Sequence, residues 1–248
     1  MADDSYHRLL AEFYKRNNLD VLFRNALDEV AEKMDLSWIK SCVAFGAGTG
    51  EREIELARRL LPDLRSFQAV EIDPESAKVL RIALQDNQLP GVETSVVETS
   101  LERWSGVDTP VDAVLFVSML GHVHSDDRRA LFQKLMTSYL SPAGIIIIVD
   151  NVLSIPSGYL MLKERLGISK DGYEEMEKEM LDVGFRVVLA HDFRTRVDLA
   201  NPSDDIVKFI RMLSGRRYSE EEIRTAIEDI FSQPNMDSFM RELAIFTK

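Results

Sequence analysis

The first residues that could support chemistry are three glycines directly after a short apolar strand. Gly46, Gly48 and Gly50 alternate with single residues, and the predicted strand Ser41–Phe45 leads straight into them. Glycine is required where the backbone takes a positive φ or where a ligand lies against bare main chain. Loops at the carboxyl ends of parallel strands are the places where α/β folds bind ligands. The pattern therefore predicts a ligand seated on Gly46, Ala47 and Gly48.

A second polar feature ends the next predicted strand, in the run Glu71-Ile72-Asp73-Pro74. A carboxylate in this place can accept hydrogen bonds from both ribose hydroxyls of an adenosine ligand. Its separation from the glycine loop is close to the approximate 20 residues expected of such a site. A tight turn that binds no ligand would explain the glycines after the first strand, but not the acidic residues at the end of the next strand. Together the two features predict an adenosine compound.

The glycine spacing narrows the kind of adenosine ligand. Dinucleotide sites favour G-x-G-x-x-G, which brings a helix N-terminus onto a pyrophosphate. Here the spacing is G-x-G-x-G, and Glu51 and Glu53 stand at the start of the following helix. Two acids would repel a pyrophosphate but suit a ligand that carries positive charge, such as the sulfonium and ammonium of S-adenosylmethionine. The loop thus favours a methyltransferase over a dehydrogenase.

These motifs lie in a regular alternation of strands and helices that follows two N-terminal helices. The run GIIIIV at 144–149 is apolar on both faces, which indicates a central parallel strand covered by helices on each side. Alternation of this kind predicts a doubly wound α/β sheet with right-handed crossovers. Helices are predicted at 5–16, 19–34, 52–61, 74–88, 126–139, 173–183, 204–213 and 219–231, and strands at 41–45, 67–72, 92–97, 111–117, 144–149, 185–190 and 243–247.

Composition limits the partners. The 248 residues include 30 Lys+Arg and 42 Asp+Glu, and the resulting charge of −12 argues against nucleic acid, whose phosphates are bound by Lys and Arg. No apolar run approaches the roughly 18 residues of a membrane span, and no secretory signal is evident, so we expect no membrane partner. The single cysteine, Cys42, is typical of a reducing cytoplasmic setting.

An ordered set of local motifs resembles the class I methyltransferases that use S-adenosylmethionine and, more narrowly, the histamine N-methyltransferase family. The resemblance covers nearly the whole chain at low identity. The motifs that carry it are YHRLLAEFYKRN at 6–17, the glycine loop with Glu51, Asp73-Pro74, Glu98-Thr99-Ser100, Val117-Ser118-Met119-Leu120, Ser157-Gly158-Tyr159, Gly167, and Met180-Leu181-Asp182 before Gly184-Phe185. The glycine loop is common to the whole class, so the C-terminal motifs carry the narrower resemblance.

The resemblance implies the roles of the cofactor residues. Gly46 and Gly48 would lie under the methionine and ribose portions of S-adenosylmethionine. The wider class points to Glu71 as the ribose carboxylate and the narrower family to Asp73, and we favour Glu71. The remaining contacts to the adenine and the methionine chain would come from Thr99, Ser100 and Val117.

The substrate residues depart from the family pattern. The family's acidic anchor for an amine falls on Leu19, with Asp20 one position away, its aromatic pair falls on Gly121-His122, and its amide anchor falls near Arg241. These departures weaken the match to histamine itself, while the retained aromatic rings fit a planar or cationic substrate. The expected substrate contacts are Tyr6, Phe13, Asp20, Ser118, Tyr159 and Arg241.

His122 is the expected proton acceptor, because an unperturbed histidine pKa of about 6.5 suits proton removal near neutrality. The alternative is that His122 has a structural role and that the residues before Asp126 only lead into a helix, with Ser125 as its N-cap.

Asp150-Asn151 resembles a metal-ligand pair of catechol-type O-methyltransferases, but Val117 stands where a further ligand is needed, so no metal is expected. Tyr159 and Lys163 have the Y-x-x-x-K spacing of short-chain dehydrogenases, but the glycine loop does not match that class.

The sequence therefore predicts a seven-stranded, mostly parallel, Rossmann-like methyltransferase fold in one domain. Residues 1–35 are expected to form a helical substrate lid, 36–151 the cofactor-binding part of the domain and 152–248 its substrate-side part. The predicted activity is N-methylation of an amine or imidazole in a small molecule by S-adenosylmethionine. O-methylation of a small phenol or acid and cofactor binding without catalysis are the alternatives, and a monomer is the default.

Overall fold

The computed structural model describes residues 6–86, 88–101, 103–106, 108–155, 157–168, 172–199, 201–233 and 236–248. Its strands form one seven-stranded sheet in the order β3-β2-β1-β4-β5-β7-β6. The strands are β1 (Ser41–Phe45), β2 (Ser66–Glu71), β3 (Glu93–Glu98), β4 (Val111–Val117), β5 (Leu140–Asn151), β6 (Arg186–Arg196) and β7 (Ser238–Thr247).

The first five strands are parallel, and β7 runs antiparallel to both β5 and β6. The apolar run at 145–149 lies in the buried part of β5, paired with β4 on one side and β7 on the other, as its lack of a polar face predicts. The predicted α/β sheet is confirmed. The order of the strands reverses direction between β1 and β4, which is where such sheets bind ligands.

Helices cover both faces of the sheet. One face carries α2, α3 and α4 around β1 and β2, and the other carries α5 and α7 around β4 and β5. Capping residues fix several helix starts, for example Ser219, whose hydroxyl accepts from the Glu222 N–H while the Glu222 carboxylate accepts from the Ser219 N–H. The helices are α1 (Tyr6–Tyr14), α2 (Leu19–Lys33), α3 (Glu51–Leu60), α4 (Pro74–Gln85), α5 (Ser125–Lys134), α6 (Gly158–Arg165), α7 (Tyr173–Val183), α8 (Asp204–Leu213) and α9 (Glu220–Phe231).

A third cluster lies at the carboxyl edge of the sheet. It joins α1, α6, α8 and α9 through buried side chains such as Leu9, Phe13, Leu162, Phe209 and Ile227. A bidentate ion pair from the Arg8 guanidinium to the Asp205 carboxylate, with distances of 2.7 and 3.0 Å, ties α1 to α8. We call this group of four helices the helical roof.

The two N-terminal helices, for which a lid over residues 1–35 is predicted, pack in different places. The junction between α1 and α2 is fastened to β6, where the Arg196 N–H donates to Asn18 Oδ1 at 2.7 Å and the Asp198 N–H donates to the Arg16 carbonyl at 2.9 Å. On one side of this junction α1 joins the helical roof. On the other, α2 packs on the sheet face beside α3 and β6.

The start of α5 also differs from expectation. Its N-cap is His124, whose Nδ1 accepts from the Asp126 N–H at 3.4 Å, whereas Ser125 is the first helical residue. The helix ends at Lys134, and the next five residues, Leu135–Tyr139, form a π-helical turn before β5. None of the described helices is long and apolar enough to cross a membrane.

Candidate active site

A cleft of about 840 Å³ opens over the carboxyl ends of β1, β2, β4 and β5, beneath the helical roof. This volume is in the range of small-molecule and cofactor sites. The loops after β1 and β2 form one half of it, which we call the cofactor half. Residues after β4 and β5, the end of β7 and the helical roof form the other, which we call the substrate half.

The three glycines of the β1 loop all have a positive φ, but they serve two purposes. At Gly46 (φ +58°) an added Cβ would come within 2.9 Å of Met119, and at Gly50 (φ +84°) within 2.1 Å of the Leu80 side chain. These two positions are glycine because the protein itself is packed against them. At Gly48 (φ +54°) a Cβ would meet no protein atom within 4 Å. Gly48 therefore presents bare backbone to open space.

Glu71 closes the same loop from the end of β2. Its Oε2 accepts from the Gly48 N–H at 2.7 Å, and its Oε1 accepts from the Asp73 N–H at 2.8 Å. The side chain is buried. Because a carboxylate has about four acceptor positions, these two bonds leave capacity for further donors in the cleft.

Asp73 is engaged differently. Its Oδ2 accepts from the Ser76 N–H at 2.8 Å, which makes it the N-cap of α4. Both acids line the cleft, but Asp73 has a structural task that fully explains its type. Thr99 and Ser100, after β3, and Val117, at the end of β4, also line the cleft.

The start of α3 carries less negative charge than the sequence indicates. Burial raises the pKa of Glu53 to about 8, so this side chain is mostly protonated at neutral pH. Glu51 is exposed, and Arg52 also lines the cleft. Glu53 would therefore not repel a pyrophosphate, because its charge is largely lost on burial. The sequence-based expectation of two charged acids at this helix start is wrong for this residue.

Aromatic rings line the substrate half in a continuous series. The Phe13 ring lies 5.3 Å from that of Phe209 and 5.8 Å from that of Tyr159, and the Tyr159 ring lies 5.3 Å from that of Phe239, measured between centroids. All four residues line the cleft. They form an apolar wall suited to a flat or hydrophobic molecule.

Four ionisable side chains line the substrate half: His122, Asp150 and Arg241 beside the strand ends, and Lys163 on α6 of the helical roof. Asp150 is buried, and this burial raises its pKa, while the nearby charges of Arg241, Lys163 and His122 act in the opposite direction. Arg241 is also buried, and its Nη1 donates to Ser118 Oγ at 2.7 Å. Ser118 follows β4 with a φ of +55°, an uncommon conformation for a residue other than glycine.

His122 lies in a short 3₁₀ turn, Leu120–His122, that follows β4. Desolvation lowers its pKa, and the Asp150 charge only partly opposes this effect, so the imidazole is neutral at pH 7 and able to accept a proton. Arg128 of α5 holds the turn from below, because its Nη1 donates to the carbonyls of Leu120 at 3.2 Å and Val123 at 2.7 Å.

A buried ion pair fixes Arg128 in turn. Its Nε and Nη2 donate to the two carboxylate oxygens of Glu179 on α7, at 2.8 and 2.9 Å. Arg128 is 1% exposed. The turn that carries His122 is thereby connected to two helices of the sheet face beneath it.

Most of the predicted site residues meet in this one cleft, including His122, Phe13, Ser118, Tyr159 and Arg241. Asp20 does not, because it is exposed on α2 and its carboxylate lies 3.5 Å from Arg52 Nη2, outside the cleft lining. The side chain of Tyr6 lies outside the described residues. Among the described residues, no group of three or more His, Cys, Asp or Glu side chains is placed to hold a metal ion.

Sequence reasoning missed the part of the site that comes from α8. Phe209, Met212 and Leu213 line the cleft from this helix, and Phe239 does so from β7. The spacing of the apolar residues in α8 predicts an amphipathic helix. It does not predict that part of the apolar face lines a cleft. The Y-x-x-x-K spacing of Tyr159 and Lys163 does not indicate that Lys163 lines this cleft.

Comparisons with known proteins agree with this geometry. Residues 43–144, which contain the glycine loop, Glu71 and Asp73 and β4, match a family model described as a methyltransferase domain. Among curated proteins, no sequence matches this chain significantly.

Solved structures resemble the chain over most of its length. A provisionally assigned methyltransferase from Bacillus halodurans C-125 is 16% identical, with a TM-score of 0.63 over 90% of this chain and 97% of its own. A provisionally assigned sarcosine dimethylglycine methyltransferase from Galdieria sulphuraria is 14% identical, with a TM-score of 0.56 over 90% of this chain and 84% of its own. The (4+2)-cyclase SpnF is also 14% identical, with a TM-score of 0.58 over 90% and 80%. Likenesses at this identity establish the fold alone.

The sheet order and the cleft at its carboxyl edge define an α/β protein with a Rossmann-like methyltransferase fold. By the family match, residues 43–144 form a methyltransferase domain, and S-adenosylmethionine is the cofactor that this match and the solved structures imply.

Proposed function

We propose that the chain transfers a methyl group to a nitrogen of a small molecule bound beneath the helical roof. The observation that carries this proposal is that one cleft joins the glycine loop to an aromatic pocket, with His122 between the strand ends and the roof. A concave cleft of this volume with aromatic walls suits a small molecule rather than a polymer.

The residues of the cofactor half fit S-adenosylmethionine. Gly48 offers bare backbone to open space, and Glu71 offers free acceptor positions that match two ribose hydroxyls. We assign the ribose contact to Glu71 rather than Asp73, because Asp73 caps α4. When bound, S-adenosylmethionine supplies a methyl group on a positively charged sulfur, already activated for displacement.

The main task of the protein is therefore to position the acceptor. Holding the reacting atoms in line can lower the barrier by about 7–11 kcal/mol. The aromatic wall from Phe13 to Phe239 would orient the acceptor, and the helical roof would exclude water. An amine or imidazole must also be uncharged to react, so a nearby proton acceptor is useful.

We assign that proton acceptor to His122. Its lowered pKa keeps the imidazole neutral and its ring nitrogens available at physiological pH. The positive charges of Lys163 and Arg241 would act in the same direction, because they disfavour protonation of an amine bound beside them.

O-methylation is the second candidate, and the same two cations favour it. A phenol or carboxylic acid bound beside Lys163 and Arg241 would ionise more readily, and its oxygen would become the nucleophile. The two reactions differ in their products, since one yields a methylated amine and the other an ether or ester.

An assay with labelled S-adenosylmethionine tests the proposal. The purified protein would be incubated with panels of small amines, imidazoles, phenols and acids, and the labelled products would be identified. We expect transfer to at least one nitrogen compound. Transfer only to oxygen would favour the second candidate, and transfer to none, with the cofactor bound, would contradict both.

The His122→Gln variant tests the proton acceptor. We expect its turnover to fall by roughly 10²–10⁴-fold with little change in S-adenosylhomocysteine affinity. In the wild type the rate should be level above about pH 7 and decline as the pH falls through the lowered His122 pKa, below about 6.5. A rate in the variant equal to that of the wild type would exclude His122 from this role.

A further inference from the structure

The substrate half of the cleft has two sides of different character. Its polar side lies at and just after the strand ends, where the described polar residues are Ser118, His122, Asp150, Asn151 and Arg241. Its other side is the helical roof, whose described cleft residues are Leu10, Phe13, Tyr159, Lys163, Phe209, Met212 and Leu213. All of these except Lys163 are apolar or aromatic, so a bound molecule meets polar groups below and a mostly apolar surface above.

The last turn of α8 contributes most to this apolar surface. Phe209, Met212 and Leu213 are spaced i, i+3 and i+4, so they lie on one face of the helix. Phe209 is 2% exposed and already packed, whereas Met212 and Leu213 are only half-buried. Half-buried apolar side chains in a cleft leave apolar surface in water, which a bound molecule can cover.

Two other residues of the cleft share this property. Leu10 of α1 and Ile168, which follows α6, are also half-buried and line the same cleft. We call these two residues, together with Met212 and Leu213, the apolar lining. All four pack against the buried core of the helical roof, so they belong to a defined surface rather than to scattered exposed positions.

The apolar lining is held in place where α8 ends. Arg217 Nε donates to the Ser214 carbonyl and its Nη2 donates to the Gly167 carbonyl, each at 2.8 Å. These two bonds join the end of α8, with Met212 and Leu213, to the chain directly after α6. The surface is therefore preformed, and a preformed surface loses little conformational entropy when it binds a ligand.

The nature of this surface sets a requirement on the methyl acceptor. A hydrophilic molecule bound at the strand ends would leave the apolar lining in water. A molecule with an apolar body would cover it, and each methylene group transferred from water to such a surface strengthens binding about fourfold. This gain depends on the apolar area that is covered and not on the charge of either partner.

We infer that the methyl acceptor is amphiphilic, with a small nucleophilic head at the strand ends and an extended apolar body that lies along the helical roof as far as Met212 and Leu213. This inference rests on the proposed function and deepens it, because it names the class of substrate. Met212 and Leu213 are then specificity-determining residues, since they contact the body of the acceptor and not its reacting atom.

The first test varies the apolar body and keeps the head constant. Protein saturated with S-adenosylhomocysteine would be titrated with benzylamine, 2-phenylethylamine, 3-phenylpropylamine and 4-phenylbutylamine, and with 4-methyl-, 4-ethyl-, 4-propyl- and 4-butylphenol. We expect the affinity to rise about three- to fourfold for each added methylene in at least one series. Affinities that stay level or fall in both series, or no binding in either, would overturn the inference.

A second pair of ligands separates apolar character from length. Heptylamine and 2-(2-methoxyethoxy)ethylamine have chains of the same number of atoms, but in the latter two ether oxygens replace methylenes. We expect heptylamine to bind at least about tenfold more tightly, since the ether oxygens would lose water against an apolar surface. Equal binding of the two, or tighter binding of the ether, would overturn the inference.

Variants locate the preference on α8. Met212→Gln and Leu213→Gln keep a helix-forming side chain of similar length but make it polar. Each should reduce the gain per methylene to less than about twofold and leave the S-adenosylhomocysteine affinity unchanged. Met161→Gln is the matched control, because Met161 is 37% exposed on α6 and lies outside the cleft lining. A gain per methylene that is retained in both α8 variants, or lost equally in the control, would overturn the inference.

The two levels of the account fail in different ways. If the wild type does not bind S-adenosylhomocysteine, or transfers no label to any acceptor, the proposed function fails. If label is transferred but affinity does not increase with the apolar body of the acceptor, the proposed function survives and the inference of an amphiphilic substrate fails.

Discussion

Oε2 of Glu71 accepts a hydrogen bond of 2.7 Å from the backbone N–H of Gly48. This bond joins the loop after β1 to the end of β2, so the bare backbone and the carboxylate of the cofactor half are held as one unit. The other oxygen of Glu71 accepts from the Asp73 N–H, which fixes the carboxylate from both sides. Such a fixed acceptor is prepared to bind hydroxyl groups without reorganising.

Replacement of Glu71 should weaken cofactor binding more than replacement of Asp73. Glu71→Gln removes the charge and turns one acceptor into a donor, so we expect a loss of roughly 10–100-fold in S-adenosylhomocysteine affinity. Asp73→Asn keeps a good N-cap for α4 and should change the affinity by less than about threefold. Calorimetric titration measures both, and a larger loss in Asp73→Asn would assign the ribose to Asp73 instead.

Gly48→Ala tests whether the open space at this glycine belongs to the cofactor. The added methyl group meets no protein atom within 4 Å, so we expect a folded protein with at least a tenfold loss of cofactor affinity. Gly91→Ala is the matched control, since Gly91 also has a positive φ (+76°) and an open Cβ position but lies outside the cleft. Both variants carry the same backbone cost of about 1 kcal/mol. Equal affinities in the two would show that the cofactor lies elsewhere.

Glu53 should make the stability of the protein depend on pH. Its pKa is raised from 4.5 to about 8 in the folded state, so between these values the folded state holds a proton that the unfolded state has released. The free energy of unfolding therefore falls as the pH rises across this window. Glu53→Gln should be more stable than the wild type at pH 8, by on the order of 1–3 kcal/mol, and much less so at pH 5. Urea unfolding at the two pH values measures this, and an equal difference at both would contradict it.

The Arg128–Glu179 pair should matter for stability and for turnover. Glu179→Gln removes a charged partner of the buried Arg128 guanidinium, so we expect a loss of about 3–5 kcal/mol in the free energy of unfolding. The turn that carries His122 would also loosen, which should lower kcat more than it changes KM and leave cofactor affinity intact.

The adjacent surface pair provides the control for this prediction. Arg129 and Asp182 lie 3.6 Å apart and are about half exposed, so Asp182→Asn should change stability by less than about 1 kcal/mol. Equal effects of the two substitutions would mean that the buried pair has no special role in holding the turn.

The sequence was sufficient to predict the sheet, and to predict that the glycine loop and Glu71 lie side by side at its carboxyl edge. The apolar run in β5 and the glycine loop each depend on local rules, namely burial on both faces and positive φ. Glu71 could be predicted as well, because the end of β2 must lie beside the end of β1 in a parallel sheet.

The substrate half was less predictable, because it depends on contacts between distant parts of the chain. The spacing of the apolar residues in α2 predicts which face of the helix is buried, but not what that face packs against. In the structure this face packs on the sheet, whereas the sequence predicts that α2 and α1 form a lid. Asp20 lies outside the cleft because it is on the exposed side of α2. The apolar face of α8 gave no sign that Phe209 would line a cleft.

The central claim is that the cleft over β1 and β2 binds S-adenosylmethionine through Gly48 and Glu71. Calorimetric titration of the wild-type protein with S-adenosylhomocysteine, and separately with NAD, tests it most directly. We predict saturable one-to-one binding of S-adenosylhomocysteine, weakened roughly 10–100-fold in Glu71→Gln, and no binding of NAD. Binding of NAD without S-adenosylhomocysteine, or S-adenosylhomocysteine binding unaffected by Glu71→Gln, would contradict the account.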